Sequence, residues 1–568
     1  AGLKSYIEPY GFGPLNDLDI GGKTDIPMGE FWMNRPITQT ASAVSSAHIY
    51  GKPVISAESF TSTPEINWKG NPAMAKTSGD LAWTYGINEF MFHRFAHQAN
   101  KHVEPGMTMN RWGFHFDRTQ TWWKNAGADW FKYIARGSYL LRQGHPVSDL
   151  LVYVGEGAPN GSYHRNDLES GLPKTVNFDN VNTDVLVNRL KIKGNELVLP
   201  EGTSYKILLL KNSKVISLST IKRIYEIANS GIPLYGDIPK KLAGYKNTET
   251  DIREFSSIQE ILVSLIKPVE DWNTVLSNHN IIPDLSVNNG DAFDYVHRKT
   301  ATEDIYFFFN PDTTGVKTFD VSFRVANKIP ELWNPLTGNI IKKADFINQG
   351  DVTITDITLN NGASIFVIFR EETNMIESVT KSNPRINYSF SKDGKIKASV
   401  LENGSYDVPL SSGKTWNISI TDIPKPFKIE GAWDVTFNKE SGYSGTLKFD
   451  KLTDWKDHPK DSIRYYSGTA TYKKKITLPK ELVADDIQAI LDLGNIYIVA
   501  EVFINNKNVG VSWMPPYQLD VSDYLTAGEN SLEIKLTNQW SNKLIGDERY
   551  PANDGGYKLD GYRPQTKM

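Results

Sequence analysis

The strongest constraint on the fold is a pattern repeated from residue 1 to about residue 155, in which a short apolar strand, a polar turn and an amphipathic helix follow one another. Strands that are separated by helices pair in parallel. Within residues 53–60, Val54, Ile55 and Ala57 suit a strand buried on both faces, and Glu58 follows where the strand ends. The pattern predicts a partial (β/α) barrel over residues 1–148, of the (β/α)8 type.

Later parts of the chain change this pattern. Residues 149–290 predict a flavodoxin-like α/β layer domain, but they lack a Gly-rich phosphate loop, so nothing supports nucleotide binding. Residues 291–372 alternate apolar and polar side chains and predict a β-sandwich. Residues 373–429 are expected to form a linker or a β-sandwich segment. Residues 430–568 predict a second sandwich, with Asn505 and Asn506 at a hairpin turn. The chain is therefore expected to be multidomain.

Composition excludes several classes of partner. The chain has 62 basic and 66 acidic residues and a net charge of -4, which is no electrostatic footprint for nucleic acid. No apolar run approaches the ~20 residues of a membrane-spanning helix. Cysteine is absent, which excludes disulfides, a thiolate nucleophile and cysteine-bound zinc. The absence of cysteine fits a bacterial protein that is periplasmic or secreted, and we expect that location.

Residues that suit carbohydrate chemistry are concentrated near the start of the chain. Seven of the ten histidines and seven of the fourteen tryptophans precede residue 165. Aromatic rings stack on the apolar faces of sugars, and two carboxyl groups are the usual machinery for cleaving a glycosidic bond. Trp83, Trp122 and Trp130 fall on predicted helices and are expected in the core. Trp32, Trp68 and Trp112 lie in turns beside polar residues and are expected near a site.

Carboxylates follow the predicted strands of the first segment. Glu8, Glu30 and Glu58 each stand where an apolar strand becomes polar. In barrels of alternating strands and helices, catalytic groups lie at the carboxyl ends of the strands. We therefore expect Glu58 to point into the mouth of a site and not into a core.

Four stretches of the first segment together resemble glycoside hydrolase family 106, the α-L-rhamnosidases. They are residues 51–61 (GKPVISAESFT), 86–97 (GINEFMFHRFAH), 105–107 (PGM) and 112–118 (WGFHFDR). The tail resembles the galactose-binding-like jelly roll that follows the barrel in that family and in relatives of family 2. Its matching stretches are residues 466–472 (YSGTATY), 491–494 (LDLG), 513–517 (WMPPY) and 542–547 (NKLIGD).

This resemblance implies hydrolysis of terminal α-L-rhamnosides with inversion, assisted by a calcium ion that contacts the sugar hydroxyls. Inversion needs a general acid and a general base separated by ~6.5–9.5 Å. The resemblance gives Glu58 the position of the base and Glu30 that of a calcium ligand, and the exchanged assignment stays open. The expected substrate-binding residues are Glu8, Trp32, His93, Arg94, Arg111, Trp112 and His115.

One departure from the family pattern concerns the general acid. The family places it well upstream of the base, and no residue here matches it. A full barrel takes ~250 residues, so we expect a C-terminal portion of a longer enzyme that begins inside the barrel. Glu8 is expected to bind substrate or support the structure instead. Two alternatives remain open: another glycosidase of similar layout, such as a β-galactosidase, and a non-catalytic carbohydrate-binding protein.

Overall fold

A computed structural model describes residues 2–11, 13–99, 104–108, 112–168, 171–287, 293–311, 315–373, 376–438 and 443–549. Its first segment alternates strands and helices. The strands are β1 (Tyr6–Ile7), β2 (Ile26–Trp32), β3 (Ser56–Thr61), β4 (Glu89–Phe92) and β5 (His145–Pro146), and the helices are α1 (Asp17–Lys23), α2 (Ala41–Ile49), α3 (Pro72–Thr84) and α4 (Trp123–Leu141). Strands β1 to β4 form one parallel sheet in chain order. The described part of residues 1–148 therefore closes no eight-stranded barrel.

Helix boundaries in this segment follow their caps. The Asn71 side chain accepts a hydrogen bond from the Met74 amide, and Pro72 occupies the first helical position of α3. Helix α2 begins only at Ala41. The reason is that the Gln39 carbonyl accepts a hydrogen bond of 3.1 Å from the Glu30 amide, which keeps the chain before α2 extended along β2.

Aromatic side chains fill the space between this sheet and its helices. Trp83, Trp122 and Trp130 are fully buried, as predicted. The prediction that Trp68 lies near a site is wrong. Its side chain is 3 % exposed, and its ring centroid lies 4.5 Å from that of His115. The same core continues into later domains, where it includes Phe307.

The second region is an α/β layer. Its strands are β6 (Leu150–Tyr153), β7 (Phe178–Val181), β8 (Lys191–Lys193), β9 (Glu196–Val198), β10 (Ser204–Tyr205), β11 (Ile207–Leu210), β12 (Val215–Ile216), β13 (Leu234–Gly236), β14 (Lys241–Leu242), β15 (Ile266–Lys267) and β16 (Leu285–Val287). Its helices are α5 (Leu218–Asn229), α6 (Glu249–Leu265) and α7 (Trp272–Asn278). The parallel sheet has the order β15-β13-β11-β6-β7, which is the strand order of flavodoxin-like sheets.

Two antiparallel sheets follow. Their strands are β17 (Asp294–Lys299), β18 (Asp304–Phe309), β19 (Lys317–Phe323), β20 (Lys328–Trp333), β21 (Ile340–Lys342), β22 (Ile347–Gln349), β23 (Val352–Leu359) and β24 (Ser364–Glu372). One sheet has the order β16-β19-β23-β22 and the other β21-β20-β24-β18-β17-β5. Phenylalanines such as Phe308, Phe323 and Phe369 fill the space between them. Residues 373–429 contribute two hairpins, formed by β25 (Ile386–Phe390) with β26 (Ile396–Val400) and by β27 (Gly404–Pro409) with β28 (Thr415–Ile420).

The C-terminal domain is a third set of antiparallel strands. They are β29 (Trp433–Phe437), β30 (Gly445–Phe449), β31 (Thr469–Leu478), β32 (Ile490–Asp492), β33 (Val499–Ile504), β34 (Lys507–Ser512), β35 (Gln518–Asp520) and β36 (Gly528–Thr537), with helices α8 (Asp461–Arg464) and α9 (Ser541–Arg549). Asn505 and Asn506 have φ of 51° and 62°, as a tight hairpin turn requires. This confirms the predicted turn.

The C-terminal domain packs against the first segment through the stretch 513–517. Trp513 is 2 % exposed, and its ring centroid lies 5.8 Å from that of Tyr133 on α4. The stretch therefore supports the contact between the two parts of the protein. Of the helices that the structure describes, none combines the length and apolar character needed to cross a lipid bilayer.

Candidate active site

Polar side chains gather at the carboxyl ends of the four parallel strands. Glu8 follows β1, Glu30 and Glu58 lie in β2 and β3, and His93 follows β4. The pairing of β2 with β3 places Glu30 directly opposite Glu58. Because paired residues on neighbouring strands project to the same face, both carboxylates share one side of the sheet.

A bulge in β3 fixes the Glu58 side chain. The pairing of β2 with β3 shifts by one residue after Phe31, so that Trp32 pairs with Thr61 and Phe60 is extra, with φ of 64°. A bulky residue rarely adopts this left-handed conformation. The Phe60 ring is buried in the aromatic core, and the Thr61 hydroxyl donates a 2.7 Å hydrogen bond to Oε1 of Glu58. The bulge therefore turns the Thr61 hydroxyl toward the Glu58 carboxylate.

His93 is the second neighbour of Glu58. Its Nδ1 lies 3.5 Å from Oε1 of Glu58, and both side chains are 28 % exposed. Burial lowers the pKa of His93, the charge of Glu58 opposes that effect, and Arg94 adds to it. Burial likewise lowers the pKa of Arg94, again opposed by Glu58. Glu58 therefore faces an imidazole that is neutral near neutral pH.

Glu30 is held by two donors. Its Oε1 accepts a 2.5 Å hydrogen bond from the Trp32 indole, and its Oε2 accepts one of 2.7 Å from the Tyr10 hydroxyl. The Tyr10 oxygen also lies 3.0 Å from Oε2 of Glu8. A phenolic hydroxyl has one hydrogen, so Tyr10 donates to one of these carboxylates at a time.

A cavity of about 480 Å³ opens beside Glu30, and its lining residues are Glu8, Tyr10, Glu30, Trp32, Arg35 and Gln39. This volume lies in the range of small-molecule sites. Partial burial in the cavity wall raises the pKa of Glu8, the hydrogen bond from Tyr10 opposes this, and the charges of Glu58 and Glu30 add to it. Glu8 therefore keeps its proton to higher pH than a carboxyl group in water.

Aromatic rings form one wall of the site. The Trp32 ring centroid lies 6.2 Å from that of Trp112, with the planes at 64°, and the Arg35 guanidinium lies 3.9 Å above the Trp32 ring. Trp112 is 52 % exposed. Such a wall suits the apolar face of a sugar.

The structure brings most of the predicted site residues together. Glu8, Glu30 and Trp32 line the cavity, whereas Glu58, His93 and Arg94 lie at the adjacent strand ends. His115 is corrected: it is 2 % exposed, its Nε2 lies 3.2 Å from the Gln120 amide nitrogen, and burial lowers its pKa to about 4. This burial leaves no surface for a sugar, so His115 supports the loop instead. Arg111 lies outside the described residues.

Three cavity residues were missed by the sequence reasoning: Tyr10, Arg35 and Gln39. Tyr10 had a local signal, since it follows Glu8 by two residues in the stretch YIEPY. Arg35 follows the end of β2 closely. Gln39 had no signal, because its place depends on the pairing of its carbonyl with Glu30.

Side chains that line this cavity carry oxygen atoms of the kinds that bind hard cations such as calcium. Glu8 and Glu30 supply carboxylates, and Tyr10 and Gln39 add neutral oxygens. Calcium prefers such ligands, usually six to eight of them. Within the described ranges, no three acidic or histidine side chains converge as a group able to hold a metal ion. A calcium ion here would therefore depend on sugar hydroxyls and water for further ligands.

Comparison with known proteins extends over nearly the whole chain. A family model described as alpha-L-rhamnosidase, glycoside hydrolase family 106, matches residues 1–346, and one described as glycosyl hydrolase 2 galactose-binding domain-like matches residues 450–563. A solved rhamnosidase from Novosphingobium sp. PP1Y superposes with a TM-score of 0.82 at 25 % identity, covering 97 % of this chain and 51 % of that one.

A curated relative from Formosa agariphila, named "Putative beta-glucuronidase", is 27 % identical and covers 97 % of this chain. The chain spans 63 % of that relative. It therefore spans between half and two thirds of the length of these two relatives.

Proposed function

Because the chain belongs to the alpha-L-rhamnosidases of glycoside hydrolase family 106, we propose that it takes part in the hydrolysis of terminal α-L-rhamnosides in glycans, with inversion of the anomeric carbon. The observation that carries the proposal is the pairing of Glu30 with Glu58 at the ends of neighbouring parallel strands, beside the wall of Trp32 and Trp112. Parallel strands with helices outside are the local pattern of a (β/α) barrel. In this proposal the substrate is a rhamnose-containing glycan outside the cytoplasm.

Glu58 is the general base in this proposal. A base must hold a lone pair toward a water molecule and must return to the same position after each turnover. The hydrogen bond from Thr61 and the neighbouring His93 fix one oxygen of Glu58. The other oxygen, Oε2, is then available to accept a proton from water.

Glu30 is a calcium ligand in the same proposal. When bound, calcium would hold two hydroxyls of the sugar and so fix its orientation. Tyr10 and Trp32 hold the two Glu30 oxygens in place. Gln39 and Glu8 complete the polar wall that the hydroxyls would meet.

The general acid stays unassigned in this proposal. Glu8 has one property of an acid, a raised pKa. Its contact with Tyr10 and its place in the cavity wall also suit the binding of a sugar hydroxyl. We keep Glu8 as a substrate-binding residue.

A panel of para-nitrophenyl glycosides tests the proposal, with and without a calcium chelator. We expect release of nitrophenol from the α-L-rhamnoside, and loss of that release with the chelator. Proton NMR of the first-formed sugar reports inversion or retention. Cleavage of a β-galactoside instead would favour a β-galactosidase of similar layout. Rhamnose binding without cleavage would favour a non-catalytic carbohydrate-binding protein.

A β-glucuronide belongs in the same panel, because of one observation beyond the name of the Formosa relative. Arg35 is a cation in the cavity wall, and guanidinium groups bind carboxylates such as that of a uronic acid. If the β-glucuronide is cleaved and the α-L-rhamnoside is not, this second function replaces the first.

A further inference from the structure

Two loops that follow the site strands are bonded to each other. We define the β3 loop as residues 62–70 and the β4 loop as residues 112–120. The Gly113 amide donates to the Ser62 carbonyl at 2.9 Å, and the Gln120 side-chain amide donates to the Asn67 carbonyl at 3.1 Å. The indole of Trp122, at the start of α4, donates to the Gly70 carbonyl at 3.0 Å. These hydrogen bonds hold the two loops together.

The β4 loop holds the residues that face Glu58. The Arg94 amide donates to the Phe114 carbonyl at 2.5 Å, the Phe114 amide to the His93 carbonyl at 3.0 Å, and the Phe116 amide to the Arg94 carbonyl at 3.1 Å. These three backbone bonds form a short ladder between residues 93–94 and 114–116. The position of His93 against Glu58 depends on that ladder, and Trp112 lies two residues before Phe114 on the same loop.

The C-terminal domain reaches both loops with two buried side chains. The Gln539 amide donates to the carbonyl of Lys69 and, at 3.2 Å, to that of Gly70. The Trp540 indole donates to the Thr119 carbonyl at 2.6 Å. Gln539 is 3 % exposed and Trp540 is 7 % exposed. Each side chain therefore binds the backbone of one loop, the β3 loop through Gln539 and the β4 loop through Trp540.

A firm anchor stands directly before this pair. Asn538 donates through its side chain to the Tyr466 carbonyl at 2.9 Å and accepts at Oδ1 from the Gly468 amide at 2.8 Å. Its backbone amide donates to the Gly468 carbonyl. These bonds fix Gln539 and Trp540 to the end of the six-stranded sheet of the C-terminal domain, at the place where the domain meets the loops.

We propose that Gln539 and Trp540 are positioning residues of the active site. Through them the C-terminal domain holds the β3 and β4 loops and so fixes the positions of His93 and Trp112. Docking alone does not require these bonds, because Trp513 already packs against Tyr133 on α4. Removing a buried donor leaves a carbonyl unsatisfied, which loosens the loop that carries it. The part of the proposal that concerns turnover rests on the proposed function.

The test compares three variants of the full protein. Gln539→Leu keeps the size of the side chain and removes its donor, and Trp540→Phe removes the indole donor. Trp455→Phe is the matched control, because its indole donates at 2.6 Å to the Tyr472 hydroxyl inside the same domain and to neither loop. Hydrogen exchange of residues 62–70 and 112–120 is measured in each, together with kcat and KM for para-nitrophenyl α-L-rhamnoside.

We expect several-fold faster exchange of both loops in Gln539→Leu and Trp540→Phe, with the exchange of β31 and β36 unchanged. Misplacing His93 should lower kcat by about tenfold or more with a smaller change in KM. The control should change neither the loops nor kcat. Unchanged exchange of both loops in both variants overturns the proposal. If the unmodified protein cleaves no rhamnoside, the proposed function fails, and the exchange result still decides whether the domain positions the loops.

Discussion

A Cβ atom placed on Gly113 would lie 2.7 Å from Nδ1 of His93. Gly113 has φ of 103°, and its amide binds the Ser62 carbonyl. The absence of a side chain at this point thus lets the β4 loop pass against the imidazole that faces Glu58. Backbone conformation and site geometry depend on the same glycine.

Gly113→Ala should displace His93 and lower kcat/KM of the proposed rhamnosidase by ~10²-fold, because a shift of about 1 Å in a catalytic group has that effect. Gly157→Ala is the control: its φ is 95°, but a Cβ there meets nothing within 4 Å. Both variants should lose about 1 kcal/mol or more of unfolding free energy through backbone strain. Only Gly113→Ala should lose activity, and equal loss of activity in both would contradict this account.

Glu58→Gln should lower kcat by ~10²–10⁴-fold, because glutamine keeps the shape and cannot take a proton from water. Folding should barely change, since the Glu58 side chain is partly exposed and supports no core. Glu65→Gln, in the β3 loop, is a control of the same chemistry on an exposed carboxylate. Steady-state kinetics on the aryl rhamnoside measure the effect, and a variant that only raises KM would mean that Glu58 is not the base.

Glu30→Gln should weaken calcium and substrate together, with activity partly recovered at high calcium, because a neutral amide is a poorer ligand than a carboxylate. Calorimetric titration of calcium, followed by kinetics over a calcium series, checks this. Loss of turnover without any calcium dependence would exchange the roles of Glu30 and Glu58.

Glu8→Gln separates substrate binding from acid catalysis. If Glu8 binds a sugar hydroxyl, KM should rise by a similar factor for aglycones of good and poor leaving ability. If Glu8 is the acid, kcat should fall far more for the poor leaving group, because only that group needs a proton to depart. Comparing dinitrophenyl and methyl rhamnosides distinguishes the two.

Local sequence pattern was sufficient to find the carboxylates. Glu8, Glu30 and Glu58 each stand where an apolar strand becomes polar, and parallel pairing brings such ends together without further information. The hairpin at Asn505 has the same local origin, because asparagine tolerates the left-handed conformation.

Non-local packing explains what the pattern could not show. Trp68 and His115 stand beside polar residues in sequence, but the β3 and β4 loops fold against each other and bury both rings. Phe60 reads as an ordinary strand residue, and only the pairing with β2 makes it a bulge. Gln39 enters the cavity wall through one backbone hydrogen bond to Glu30, which no periodicity encodes.

His115 should make the protein sensitive to acid. Burial lowers its pKa from 6.5 to about 4, Asp117 opposes this, and Arg94 adds to it. Because the folded pKa is depressed, the unfolded chain binds the proton first as pH falls. The stability that His115 contributes is therefore present above about pH 6.5 and is lost as pH falls through about 4.

Between about pH 7 and about pH 5 this single group should remove about 2 kcal/mol of unfolding free energy. His115→Asn keeps a polar side chain of similar length and has no proton to gain. Urea unfolding of both proteins at the two pH values measures the difference. The wild type should lose more stability than the variant on acidification, and their unfolding free energies should converge as pH falls. A gap that is constant or widens at low pH would show that the folded state does not depress the pKa of His115, which its 2 % exposure argues against.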